Sequence, residues 1–109
     1  MKIDFDAIKE ERLPQFKGGE GVTVAKMYVD DSIRILKGYL EKDSSIGMHC
    51  HEGSSETIYI LDGVGKVLYD DGEEELRAGS CHYCPEGHQH SLVNTGEEPL
   101  YFIGVVPNV

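Results

Sequence analysis

The chain has 109 residues, 39% of them apolar and 28% charged, which suits one globular domain burying roughly two-thirds of its unfolded surface and excludes a disordered or low-complexity segment. Twenty acidic residues against ten basic ones give a formal net charge of −10, a balance that repels a phosphate backbone and excludes nucleic acid as a natural partner. Nowhere do eighteen apolar residues run together, and the N-terminal stretch has no apolar core of signal-peptide length, so the expectation is a soluble cytoplasmic protein, off the membrane, with Cys50, Cys81 and Cys84 kept as reduced thiols.

In chain order, residues 5–12 suggest a short helical turn ended by Pro14. Helical periodicity then gives way to short β-rich runs, with strands expected at 22–29, 33–41, 46–51, 56–61, 66–69, 74–78, 81–84, 90–94 and 100–105. Between them lie Asp30-Asp31-Ser32, Lys42-Asp43-Ser44-Ser45, Asp62-Gly63-Val64-Gly65, Asp70-Asp71-Gly72, Pro85-Glu86-Gly87 and Asn94-Thr95-Gly96. Asp-Gly pairs favour positive φ and tight hairpins, and turn signals about every ten residues predict an all-β sandwich or barrel in a single domain over 1–109.

Two runs, Ile58-Tyr59-Ile60-Leu61 and Phe102-Ile103-Gly104-Val105-Val106, are apolar on both faces. Such strands need cover on each side, either inside a two-sheet sandwich or between a barrel interior and a partner subunit. The second arrangement would make a homodimer.

The chemistry concentrates in GMHCHEGSSE, residues 47–56. Residues two apart on a strand point the same way, so His49 and His51 share a face, with Cys50 on the other. Glu56 follows after a Gly-Ser turn and can arrive from the next strand, where a carboxylate suits a hard or borderline divalent ion. A fourth ligand should come from GSCHYCPEGHQHSLVN, residues 79–94, which offers His82, His88 and His90. Spacing alone does not choose among them.

Two groups of residues carry a family resemblance. His49, His51, Glu56 and Gly63, followed by Gly79, Pro85, Gly87, His90 and Asn94, resemble the two motifs of the cupin superfamily, at 49–63 and 79–94. Every keyed position of the second motif is filled. The first departs once: the glycine usual six positions before its first histidine is Asp43, which puts only the turn into that strand in question. The resemblance implies a single small β-barrel of jelly-roll type, usually homodimeric. It also implies one divalent transition metal per chain (Mn, Fe, Ni or Zn) on His49, His51, Glu56 and His90. Three imidazoles and a carboxylate leave octahedral positions open for water, substrate or dioxygen, the composition of a reactive site more than of a closed zinc site.

Fold does not select an activity. Glu56 argues against thiol dioxygenases, and the short chain argues against acireductone dioxygenases and two-domain oxalate decarboxylases. The reading that follows is a metal-dependent enzyme acting on a small carboxylate, enol or sugar by oxygenase or isomerase/lyase chemistry. The alternative is a non-catalytic module binding a small carboxylate or sugar through the metal. His88 and Tyr83 are the candidate catalytic groups, His88 as general acid or base near the barrel mouth. Tyr59, Tyr69 and Tyr83 suit core packing better than cavity lining. Cys81-His82-Tyr83-Cys84 contains CxxC, but in a strand the two sulfurs point to opposite faces, against a redox pair.

Overall fold

An Asx-type turn starts the main hairpin: Asp30 Oδ1 accepts from the backbone N–H groups of Ser32 (2.8 Å) and Ile33 (2.9 Å), turning the chain where Asp-Asp-Ser predicts. The computed structural model describes residues 1–108. Its strands in chain order are β1 (Glu11–Pro14), β2 (Val22–Val29), β3 (Ile33–Leu40), β4 (His49–Cys50), β5 (Glu56–Asp62), β6 (Val64–Tyr69), β7 (Gly72–Arg77), β8 (Cys81–Cys84), β9 (Gln89–Asn94) and β10 (Leu100–Pro107). They form two antiparallel sheets, one ordered β1-β2-β3-β10-β5-β8 and the other β4-β9-β6-β7, which face each other as a jelly roll. Among the described residues no helix is long and apolar enough to cross a membrane.

Period-two alternation decides which side of each strand is core. Leu36, Leu40, Ile58, Ile60, Val67, Leu92, Leu100 and Phe102 are all buried in one cluster between the sheets. Each such side chain contributes about 1.5–3 kcal/mol of transfer free energy. The opposite face of β5 and β8 is open, with Tyr59 45% and Tyr83 58% exposed, so these two tyrosines fill neither the core nor the cavity. The expectation of core packing fails for them because their strand neighbours, not they, fall on the inner side.

Two further expectations need correction. Residues 5–12 are not one helical turn: a 3-10 turn covers Phe5–Ala7 under an Asp4 cap, and the chain then extends into β1 against β2. Pro14 sits at the end of that edge strand, where its missing N–H costs no ladder bond. Residues 46–51 make a strand only at His49–Cys50. Ahead of it the backbone is shared between elements, Ile46 donating to the Leu92 carbonyl and Gly47 to the Phe16 carbonyl.

The motif positions have structural reasons. Gly63, Gly79 and Gly87 all adopt positive φ. Asp43 does too, at φ 62°, so the turn keeps the left-handed geometry with a residue type that tolerates it. Asn94 is buried, its Nδ2 donating to the carbonyls of Leu40, Glu41 and Glu98 while its Oδ1 accepts from Gly96 N–H. That side chain ties β9 to the ends of two other segments.

Candidate metal centre

Register brings the histidines together. His49 on β4 pairs directly with His90 on β9, and paired residues of an antiparallel ladder point to one face. The Pro85-Glu86-Gly87 turn then seats His51: Gly87 N–H donates to the His51 carbonyl (2.7 Å) and His51 N–H to the His88 carbonyl (3.1 Å). Glu56 opens β5 on the same interior. Beside it on β10, a Cβ on Gly104 would lie 2.9 Å from Glu56 Oε2, so glycine there leaves room for the carboxylate.

Four donor atoms converge. Glu56 Oε1 is 2.9 Å from His90 Nε2, 3.0 Å from His51 Nε2 and 3.8 Å from His49 Nε2. His90 Nε2 lies 3.0 Å from His51 Nε2 and 3.1 Å from His49 Nε2. Cis ligands on an octahedral ion at about 2.1 Å stand roughly 3.0 Å apart, whereas tetrahedral ligands at that distance stand roughly 3.4 Å apart. The spacings around His90 and between His51 and Glu56 fit adjacent octahedral positions, while the 3.8 Å from His49 to Glu56 is wider than either value.

Hydrogen bonds at the far side of the rings say what those atoms carry. His49 Nδ1 is 2.7 Å from the Gly47 carbonyl, which can only accept, so the proton is on Nδ1 and Nε2 presents a lone pair. His82 Nδ1 is 3.0 Å from Glu74 Oε1 and donates to it, leaving His82 Nε2 to accept from His90 Nδ1 at 3.1 Å. His90 Nε2 thus also presents a lone pair. His51 Nδ1 is held by Ser54 Oγ at 3.2 Å. Lone pairs facing one another at 3 Å, beside a carboxylate, make a site built for a cation.

Charge agrees. Burial alone would push Glu56 up, but in the metal-free site protons shared with the His49, His51 and His90 rings outweigh it and hold the carboxyl well below the usual carboxylate range, protons whose place a cation takes. Burial pushes His90 down, with Glu56 opposing only in part. An ionised carboxylate is the ligand-ready state of Glu56.

Spacing left His82, His88 and His90 open, and the geometry separates them. His90 joins the cluster. His82, 3% exposed, stands behind it as the support of its Nδ1. His82, Cys84 and His90 also form a second close group, but both His82 nitrogens and His90 Nδ1 are already taken up in hydrogen bonds to Glu74 and to each other, and burial pushes the Cys84 thiol up to about 11. His88 lies outside the cluster, its Nδ1 2.7 Å from Asp70 Oδ2 and its ring stacked on Tyr69. Tyr69 in turn meets the His82 ring edge-on. Tyr83 points outward from β8, away from the donors. Cys81 is exposed and Cys84 buried, on opposite faces of the strand. His82, Glu74 and Gly104 carry no motif signal; only strand register unites them with the ligands.

A family model described as Cupin domain matches residues 37–106. The chain belongs to the cupin family. Among similar cupins, an oxalate-binding protein of Thermotoga maritima is 33% identical over 113 residues, covering 97% of this chain and 93% of that protein. A crystal structure of a predicted oxalate decarboxylase from Thermotoga maritima superposes with a TM-score of 0.92 at 29% identity, over the full length of both chains. A sugar phosphate isomerase of Silicibacter pomeroyi shares the fold, with a TM-score of 0.81 at 20% identity over 100% of this chain and 76% of that one. The jelly-roll cupin expectation holds, and this cupin carries a His49, His51, Glu56 and His90 group able to hold a metal ion.

Proposed function

We propose that this cupin binds a small carboxylic acid, oxalate being the first candidate, through one divalent ion (Mn, Fe, Ni or Zn) held by His49, His51, Glu56 and His90. The observation that carries the reading is the convergence of three imidazole nitrogens and one carboxylate oxygen at spacings of 2.9 to 3.1 Å around His90. Support comes from the similar protein named for oxalate binding, 93% of whose length this chain matches. The ion would act as a Lewis acid on carboxylate oxygens. Titration calorimetry of oxalate into manganese-loaded and metal-free protein tests this. Binding only to the loaded form is expected, and equal binding to both would overturn it.

One observation favours turnover of the bound acid over simple binding: Asp70 grips His88 Nδ1 at 2.7 Å, orienting an imidazole as a general acid or base does. The two readings separate on whether oxalate is recovered unchanged. Tyr59, Leu61, Tyr83 and Tyr101 leave an exposed apolar face on the larger sheet, which supports a homodimer and is tested by sedimentation. Exposed free thiols at Cys50 and Cys81 support a reducing, cytoplasmic setting.

A further inference from the structure

Alternation along β3 turns Arg34, Leu36, Gly38 and Leu40 to one side, and Leu36 and Leu40 on that side are buried in the core. Arg34 pairs with Val106 on β10, itself buried. The next pair outward from there, Val105 with Thr57, puts Glu56 of β5 level with Val106. Arg34, Val106 and Glu56 therefore lie in one row across three adjacent strands of the interior face. With strands about 4.8 Å apart, the Arg34 and Glu56 backbones stand roughly 10 Å from each other.

An arginine in that row needs an acceptor, and Arg34 Nε is buried with no hydrogen-bond partner among the described residues. Arg12 shows the contrast, its guanidinium gripping both oxygens of Glu41 at 2.9 and 3.1 Å. A buried donor left unpaired is a standing cost to the fold that a ligand acceptor removes. The charges also sum usefully: a divalent ion over the Glu56 carboxylate leaves one positive charge, and Arg34 adds a second. That total matches a dianion better than a monocarboxylate.

We propose that Arg34 receives the second carboxylate of a dicarboxylate whose first carboxylate sits on the metal, making it the residue that selects diacids over monoacids. The assignment rests on the metal-dependent acid binding set out above. The guanidinium fork suits a carboxylate geometrically, where an ammonium offers only a point charge.

The test uses manganese-loaded protein and calorimetry with oxalate and acetate, on the native chain, Arg34→Met and Arg34→Lys. Arg34→Met keeps the buried stem apolar and should weaken oxalate by roughly tenfold to a hundredfold, leaving acetate and manganese affinities unchanged. Arg34→Lys should recover part of the oxalate loss. Oxalate affinity unchanged in Arg34→Met, or oxalate and acetate weakened equally, would overturn the assignment. A native loaded protein that binds neither acid would instead sink the underlying reading, and the assignment with it.

Discussion

His82 Nε2 lies 3.1 Å from His90 Nδ1, and both rings are buried. Because Glu74 fixes the proton of His82 on Nδ1, the order of donors runs from His90 through His82 to Glu74, and it leaves His90 Nε2 free as a ligand. A support of this kind sets both the tautomer and the angle of a metal-binding ring. His82→Phe is predicted to lower metal affinity about 10- to 100-fold with the fold intact, read by competition with a chelator and by the absorption spectrum of the cobalt form. Glu74→Gln should cost less, since Glu74 is exposed. Unchanged affinity in His82→Phe would show that His90 needs no support.

Gly104 makes a separate prediction. A methyl group there presses on the movable end of Glu56, not on backbone, so Gly104→Ala should fold and yet bind metal more weakly. Parallel measurement of the urea midpoint and the chelator competition separates the two effects. A full loss of folding would place the glycine's role in the sheet instead of at the site.

Asp43 stands at φ 62°, a conformation that costs a residue with a Cβ roughly 1–2 kcal/mol unless its side chain helps locally. Asp43→Val is therefore predicted to destabilise by about 1–2 kcal/mol, while Asp43→Gly leaves stability level or higher. Urea unfolding of the pair checks the order. Gly below Val would refute the left-handed turn.

Acid should destabilise the metal-free protein through two groups. His90 is pushed down mainly by burial, and Glu56 is held down by its three imidazoles against the opposing effect of burial. In both cases the unfolded chain binds protons first, so stability rises with pH across the interval between unfolded and folded values. The His90 contribution is present above about pH 6.5 and is lost on acidification; the Glu56 contribution begins to fall near pH 4.3. The urea midpoint should drop between pH 7 and pH 4. A midpoint that rises over that range would contradict the ionisation pattern of the site.

What the sequence made legible was whatever has a local period or a fixed offset. Alternation placed nine of the strands to within a few residues, because all of them but the two-residue β4 have a buried side. The offsets of His49, His51, Glu56 and His90 pointed to one cluster, because residues two apart share a strand face and the motif fixes the fourth. Long-range register was not legible: nothing in the spacing tells that Glu74 on β7 meets His82 on β8, that Gly104 faces Glu56, or that Arg34 shares their row. Tyr59 and Tyr83 misled for a related reason, since an aromatic residue in a strand carries no mark of which sheet face lies inward. The strand expected at 46–51 was shortened by a partner outside it, the Phe16 carbonyl that takes up Gly47 N–H.

The measurement closest to the central claim is elemental analysis of untagged protein by plasma mass spectrometry before and after chelation, with the melting temperature followed alongside and His90→Ala as control. One divalent metal per chain is predicted, with a fall in melting temperature on chelation, since an ion that binds only the folded state stabilises it. His90→Ala should fold and hold no stoichiometric metal. Absence of metal from the native protein, with no stabilisation by added Mn, Fe, Ni or Zn, would contradict the account.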